Sequence, residues 1–162
     1  MFNLEAIAKG PKGNWTSLSN SFVVIILAPS KYLSAWIQMS SPLSIAALIL
    51  TNTTNANRNN LVDLKKNEIG GLSGKPLEDV SNNIIKKFYK KLNRKITIIG
   101  VGGVDSGKSA YNKIISGASL IQLYTGMIFK GPEIVKNIKK DLINHLKNDG
   151  VKNFKEIIGQ GI

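Results

Sequence analysis

From about residue 45 onward the chain alternates short apolar runs with amphipathic segments, and this alternation restricts the possible fold more than any other feature. Apolar runs predict three strands, at 45–50, 96–101 and 119–124. Apolar positions at helical spacing predict three helices, beginning at Pro76, at Ser106 and near Pro132. Strands and helices in repeated succession favour a parallel sheet, because a crossover helix brings the next strand back in the same direction. The expected fold class is therefore α/β.

The first 44 residues do not join this alternation. They hold both tryptophans, Trp15 and Trp36, and one good strand candidate at 22–28. The stretch 30–44 mixes Trp, Met, Pro and Ser without a clear period. We therefore expect a divergent N-terminal segment of residues 1–44, followed by an α/β part of residues 45–162.

The net charge of +12 raises the question of a nucleic-acid partner. The lysines are spread over the polar faces of predicted helices, however, without interleaved aromatic residues, and this favours solvated helix faces over a nucleic-acid surface. The absence of cysteine excludes a disulfide framework. No apolar run reaches the roughly 18 residues of a membrane span, and the N-terminus has no signal-peptide pattern. These features predict a cytoplasmic protein.

Residues Gly102–Ser109 satisfy the P-loop pattern G-x-x-x-x-G-K-[ST] between a predicted strand and a predicted helix. In an NTPase, Lys108 would reach the phosphates and Ser109 would hold magnesium. No later apolar strand ends in an aspartate that could support the metal, and we predict no metal site. The P-loop NTPase therefore stays the alternative hypothesis.

Two successive predicted strands end in glycine turns, Gly102-Gly103 and Tyr124-Thr125-Gly126. Glycine lets the backbone approach a ligand closely, and the free amides at the start of a following helix favour an anion. In barrels of alternating strands and helices, such turns often hold a phosphate. The pair of turns therefore predicts a site for a monophosphate group such as that of FMN.

Asn52, Thr53 and Thr54 form a polar cluster at the end of the first predicted strand of the α/β part. Asparagine offers both a donor and an acceptor, which suits a planar ligand with amide and carboxylate edges. A helix N-cap or a turn explains the same cluster without a ligand. The single histidine, His145, falls among lysines in the last predicted helix, where we expect a surface or half-buried side chain.

Four segments follow a more specific pattern, in order and at matching spacing: Ile49–Thr54, Gly70–Leu77, Ile98–Gly103 and Gly117–Gly126. Together they resemble the C-terminal third of dihydroorotate dehydrogenases, over about residues 46–162. The sequence Gly-Leu-Ser-Gly-Lys-Pro-Leu at 71–77, with Phe-Lys-Gly-Pro at 129–132, is similar to the membrane-associated, quinone-reducing class.

The resemblance implies an FMN-binding (β/α)8 TIM barrel, of which this chain would hold the C-terminal part, with about three of eight strands. It implies oxidation of dihydroorotate to orotate in pyrimidine biosynthesis, a quinone as electron acceptor, and peripheral inner-membrane association of the intact protein. The cofactor-binding positions that it implies are Thr51, Gly74 and Gly103 along the FMN, and Tyr124 and Thr125 at its phosphate. The substrate-binding positions are Asn52 and Thr53.

The chain also departs from the family pattern. The family's catalytic serine loop has no counterpart, since Ser40–Leu43 lies too close to the Thr51 strand, so no catalytic residue is predicted. The strand that should carry a flavin-contacting lysine has Ile26 at that place, which suggests a frameshift in or before residues 22–44. The family's N-terminal membrane helices are missing as well. We therefore expect a truncated chain that is inactive alone; a non-functional remnant is the alternative that is not an enzyme.

Overall fold

The computed structural model describes residues 22–25, 45–55, 58–59 and 61–162. Its strands are β1 (Phe22–Ile25), β2 (Ile45–Ile49), β3 (Thr97–Gly100) and β4 (Leu120–Ile121). Its α-helices are α1 (Glu78–Leu92), α2 (Gly107–Ile115), α3 (Thr125–Lys130) and α4 (Ile134–Asn148). Short 3-10 helices lie at Lys75–Leu77 and Phe154–Ile157. Strand and helix alternate from β2 to β4, as predicted. Two helices follow β4, and the short α3 was not among the three predicted helices.

The described strands form one parallel sheet in the order β1-β2-β3-β4. In this register Ala47 pairs with Thr97, and Ile99 pairs with Leu120. The three strands predicted in the α/β part are present, and the strand candidate at 22–28 forms β1 over Phe22–Ile25, which pairs with β2. β4 is shorter than predicted. Because all four strands are parallel, their carboxyl ends lie at the same edge of the sheet. Parallel strands whose spatial order equals their sequence order are what part of a (β/α)8 barrel contains.

The rest of the N-terminal segment, residues 1–21 and 26–44, lies outside the described residues. Trp15, Trp36 and Ile26 belong to it, so the two-part organisation with a boundary at residue 45 stays a prediction. The proposed frameshift in or before residues 22–44 stays a prediction as well. Within the described part of the chain, no helix is both long and apolar enough to cross a membrane.

The helices pack on the sheet through two apolar clusters. The first joins α1 to the sheet and contains Leu48, Ile85, Phe88, Leu92, Ile98 and Ala118. The second joins α2 to α4 and contains Val104, Ala110, Ile134 and Ile138. Burial of each Leu, Ile, Val or Phe side chain in them contributes about 1.5–3 kcal/mol, so these clusters hold the helices that carry the loops above the strand ends.

The helical spacing predicts apolar helix faces that include Val80 and Val135, but both side chains are partly exposed. Val80 is 46% exposed and Val135 is 40% exposed. In α1 the predicted face residues Ile85 and Phe88 are buried, but near the start of the helix Ser81 is buried instead of Val80. Ser81 and Asn82 accept hydrogen bonds there from a lysine of α2. Pro76 also opens the 3-10 turn that precedes α1, not α1 itself. A polar contact between helices therefore occupies one position near the start of α1 where hydrophobicity alone predicts an apolar side chain.

The region around β4 is expected to drive self-association of this chain. β4 has a single neighbour within the described sheet, and Leu120, Ile128 and Phe129 are 54%, 66% and 83% exposed. Unpaired strand edges and contiguous apolar surface both promote association. Sedimentation velocity should show a concentration-dependent dimer or larger species, and I128E/F129E should shift it toward monomer.

Val62→Glu provides the matched control, because Val62 is a fully exposed apolar residue in a separate loop. This variant should associate as the unsubstituted chain does. A sharp, concentration-independent monomer boundary for the unsubstituted chain would contradict the prediction.

Candidate functional site

A cavity of about 280 Å³ opens at the carboxyl edge of the sheet. Its walls are the segments that follow β2, β3 and β4, together with Ser73 and Gly74 from the loop that precedes the 3-10 turn. In sheets of parallel strands, ligands bind at this edge because loops from several strands converge there. The cavity is therefore the candidate site.

All seven residues that the resemblance implies as ligand-binding line this one cavity: Thr51, Asn52, Thr53, Gly74, Gly103, Tyr124 and Thr125. The structure thus brings together positions that are more than seventy residues apart in sequence. Sequence reasoning did not assign Ser73 or Gln122 to the site, although both line the cavity. Ser73 lies inside the segment Gly70–Leu77, which resembles the family, and this resemblance could have indicated Ser73 as a site residue.

The turn after β3 presents backbone to the cavity. Gly102 and Gly103 have φ angles of +95° and +78°, a region in which other residues are strained. A Cβ atom on Gly103 would lie 2.5 Å from the amide nitrogen and the Cα of Glu78. Glycine is therefore required at 103 for two reasons: the backbone conformation is strained for other residues, and the turn lies too close to the start of α1 to leave room for a side chain.

The turn after β4 leads directly into α3, which begins at Thr125. The first amides of a helix have no intrahelical acceptor, and no side chain caps this end at Tyr124. The Thr125 hydroxyl donates to Ser73 Oγ at 3.1 Å and joins this turn to the loop at Gly74. Backbone donors and hydroxyls from two loops thus converge at one end of the cavity, where an anion can be bound.

At the end of β2, Asn52 Oδ1 accepts a hydrogen bond from the Thr53 amide at 2.8 Å. No helix begins there in the described chain, so the N-cap alternative for this cluster is wrong. The turn does not use the Asn52 side-chain NH2 group, and Asn52 is exposed at the cavity wall. The Thr51 hydroxyl donates to the Val101 carbonyl at 2.9 Å. Thr51 therefore joins two strands at the wall and does not aim a donor into the cavity.

Charged side chains join the loops beside the cavity. Asp105 carboxylate oxygens lie 3.3 Å from the Lys75 ammonium and 3.3 Å from the Lys130 ammonium. Lys75 also pairs with Glu78 at 2.6 Å, and this hydrogen bond is the main cause that raises the pKa of Lys75. Partial burial opposes ionisation of Asp105, but the two ammonium groups, Lys75 foremost, lower its pKa overall. These pairs connect the loops after β2, β3 and β4.

The described lining of the cavity holds backbone amides, hydroxyls and two side-chain amides, but no carboxylate, imidazole, amine or thiol. His145 is not among the lining residues; it is half-buried, with its ring centroid 5.5 Å from that of Tyr111. The described residues also include no cluster of three His, Cys, Asp or Glu side chains that could hold a metal ion. Such a lining can bind and orient a polar ligand through neutral dipoles.

The geometry of Gly102–Ser109 is not that of a P-loop. Ser109 is completely buried, and its hydroxyl oxygen accepts hydrogen bonds from the amides of Asp105 and Ser106 at 2.9 and 3.0 Å. With Ser106 it forms the capping box of α2. Lys108 is exposed, and its ammonium lies 5.5 Å from the Tyr111 ring centroid. Neither side chain lines the cavity, so the motif serves helix capping.

Comparison with known proteins places the chain among relatives of one kind. A sequence model of the family "Dihydroorotate dehydrogenase" matches residues 14–146. The dihydroorotate dehydrogenase (quinone) of Mus musculus is 46% identical over 117 residues, which cover 72% of this chain and 30% of that protein. That of Trichodesmium erythraeum is 38% identical over 148 residues, which cover 85% and 39%.

A solved structure of DHODH from Eimeria tenella, in complex with ferulenol, superimposes with a TM-score of 0.69 at 39% identity. The match covers 72% of this chain and 31% of that one. The chain thus spans between a quarter and two fifths of the curated relatives that it matches. The family match covers well over half of the chain, so the chain belongs to the dihydroorotate dehydrogenase family.

Proposed function

We propose that the cavity holds the phosphate end of FMN, as part of an enzyme that oxidises dihydroorotate to orotate and passes the electrons to a quinone. The observation that carries the proposal is the convergence of two backbone turns on one cavity whose described lining has no acidic side chain. A carboxylate there would repel a phosphate, whereas oriented amides attract it. Relatives named dihydroorotate dehydrogenase (quinone) support the reaction and the acceptor.

The residues present fit such a phosphate. The Gly102-Gly103 turn has the positive φ angles that expose backbone to a ligand, and a side chain at 103 would already clash with α1. Thr125 and Gly126, which also line the cavity, supply the first amides of α3. Gly74, whose backbone also lines the cavity, approaches Thr125 closely enough that a Cβ would lie 3.0 Å from the Thr125 methyl carbon. These residues would hold the phosphate, with no metal ion needed.

Asn52 and Thr53 would bind the polar edge of the substrate at the end of β2. Both are exposed at the cavity wall, and the internal hydrogen bond from the Thr53 amide to Asn52 Oδ1 holds the asparagine side chain in place. When bound, FMN supplies an acceptor for the hydride that leaves the substrate. The described side chains would orient the substrate and exclude water. None of those that line the cavity is a carboxylate, imidazole, amine or thiol that could act as a general base.

The volume of the cavity is consistent with partial coverage of the ligand. Binding sites for small-molecule ligands and cofactors such as FMN measure roughly 300–1,000 Å³, and this cavity measures about 280 Å³. The described residues therefore enclose the phosphate end and leave much of the flavin ring to other parts of the protein. Affinity for FMN should accordingly depend strongly on its phosphate.

We expect the chain to bind FMN without magnesium and to bind riboflavin, which lacks the phosphate, at least about tenfold more weakly. Each contact between a helix-terminal amide and an anion is worth up to ~2 kcal/mol when partly buried. Quenching of flavin fluorescence on titration with protein measures both affinities. Lys108→Ala provides the control, because Lys108 is exposed and does not line the cavity.

Two results would overturn the proposal. Equal affinity for FMN and riboflavin would show that the turns do not hold the phosphate. Tight, magnesium-dependent binding of ATP that is lost in Lys108→Ala would restore the P-loop hypothesis.

A further inference from the structure

A buried lysine lies behind the wall of the cavity. Lys113, on α2, is completely buried, and its side chain passes so close to β3 that a Cβ on Gly100 would lie 2.5 Å from its Cγ. Its ammonium donates to Ser81 Oγ at 3.0 Å and to Asn82 Oδ1 at 2.8 Å, both on α1. Neither acceptor is charged, so this lysine is buried without a direct ion pair.

The ammonium group dictates where the Ser81 hydrogen points. An ammonium can only donate, so Ser81 Oγ accepts from it and must direct its own hydrogen elsewhere. That hydrogen goes to the Val101 carbonyl, which Thr51 also donates to at 2.9 Å. The two hydroxyls lie 3.2 Å apart. A chain of hydrogen bonds thus runs from the buried lysine to the end of β3.

The Val101 carbonyl, which accepts two hydrogen bonds, directly precedes the glycine turn of the cavity. Gly102 and Gly103 follow directly, with positive φ angles, and neither has a side chain that could anchor the turn. Two donors on one carbonyl set the plane of the peptide that leads into the turn, and therefore the direction of its amide. The orientation of this wall depends on Ser81.

We propose that Lys113 is a positioning residue of the cavity, because its ammonium group sets the direction of the Ser81 hydroxyl and so holds the Val101 carbonyl. A neutral amine could instead accept the Ser81 hydrogen. The Val101 carbonyl would then accept a hydrogen bond from Thr51 but not from Ser81, and the glycine turn would be held less firmly. Only the effect on FMN rests on the proposed function, since the hydrogen-bond chain exists without a ligand.

The charge state of Lys113 changes in an accessible pH range. Burial lowers its pKa to about 8, against the opposing attraction of Glu78 and Asp79 on α1. Glu78 itself is bound by Lys75 from the 3-10 turn and by Asn112 from α2, and the described residues of β3 are uncharged. The hydroxyl chain should therefore be fully directed toward Val101 below pH 8 and be released above it.

Carbon-13 NMR of the ligand-free, full 162-residue chain tests this link. The carbonyl resonance of Val101 should titrate with a midpoint near pH 8 and stay flat in Lys113→Met and in Ser81→Ala. Lys87→Met carries the same substitution at an exposed position of α1 and should titrate as the unsubstituted chain does. FMN affinity should fall about tenfold above the midpoint, the effect of one ordinary hydrogen bond, and should lose this pH dependence in both test variants.

The outcomes separate the two proposals. A Val101 resonance that does not titrate, or that titrates unchanged in both Lys113→Met and Ser81→Ala, overturns the role of Lys113. If Lys113→Met does not fold, Ser81→Ala decides alone, because it removes the relay and keeps the lysine. A chain that titrates as expected but binds no FMN supports the role of Lys113 and refutes the proposed function.

Discussion

Replacing Gly103 with alanine is expected to destabilise the chain by about 3 kcal/mol or more and to abolish FMN binding. The backbone at 103 has a φ angle of +78°, which costs an alanine about 1–2 kcal/mol. The new Cβ would also lie 2.5 Å from backbone atoms of Glu78, and backbone cannot move aside as a flexible side chain can. Urea unfolding followed by far-UV circular dichroism measures the loss, and flavin fluorescence measures binding.

Gly150→Ala separates backbone strain from the clash. Gly150 has a similar φ angle of +68°, but a Cβ there would meet nothing within 4 Å. This variant should lose only about 1–2 kcal/mol and should bind FMN normally, because it follows α4, far along the chain from the turn. Equal losses for the two variants would show that the turn at Gly103 does not pack against α1 as described.

A polypeptide of these 162 residues, saturated with FMN, is expected to oxidise dihydroorotate at least about 100-fold more slowly than the relative from Mus musculus. The reaction removes a proton from one carbon and a hydride from its neighbour, and a positioned base contributes about 10²- to 10⁴-fold to such a step. The described lining of the cavity has no carboxylate, imidazole, amine or thiol. The Ser73 hydroxyl accepts from Thr125 and has no base beside it in that lining.

Dihydroorotate-dependent reduction of a quinone or a dye provides the assay, with free FMN and substrate as the background. Asn52→Ala should weaken substrate binding without changing the slow rate at saturation, since orientation and proton removal are separate contributions. A rate within about tenfold of the relative's would contradict the prediction. It would show that a base comes from residues 1–44, of which only the strand Phe22–Ile25 is described.

Local sequence determined the elements of this protein because their causes are local. Apolar runs at the right length form buried strands, and Ser106 begins α2 through a hydrogen bond to an amide three residues away. The glycine turns after β3 and β4 were visible for the same reason, since a strand that ends in glycine before a helix predicts a backbone site. The four segments that resemble the family indicated seven candidate site residues, and all seven of these residues line the cavity.

Contacts between residues far apart in sequence could not be predicted from the sequence pattern. Asp105 is joined to Lys75 and Lys130, thirty and twenty-five residues away, and no period or motif records such a pair. The P-loop pattern misled because it is defined by spacing alone, whereas the burial of Ser109 in a capping box decides what its hydroxyl can bind.

Lys113 shows most clearly where sequence reasoning ends. It lies on the same helical face as Ala110 and Ile114, where hydrophobicity alone expects an apolar side chain or a lysine that reaches solvent. Only the packing of α1, α2 and β3 encloses it, and only that enclosure lowers its pKa to about 8. Sequence by itself determined the order of the strands, the glycine turns and the three longer helices, because each depends on neighbours along the chain. Tertiary structure decided which polar groups meet and in what charge state, because those properties depend on distance and burial between residues far apart in sequence.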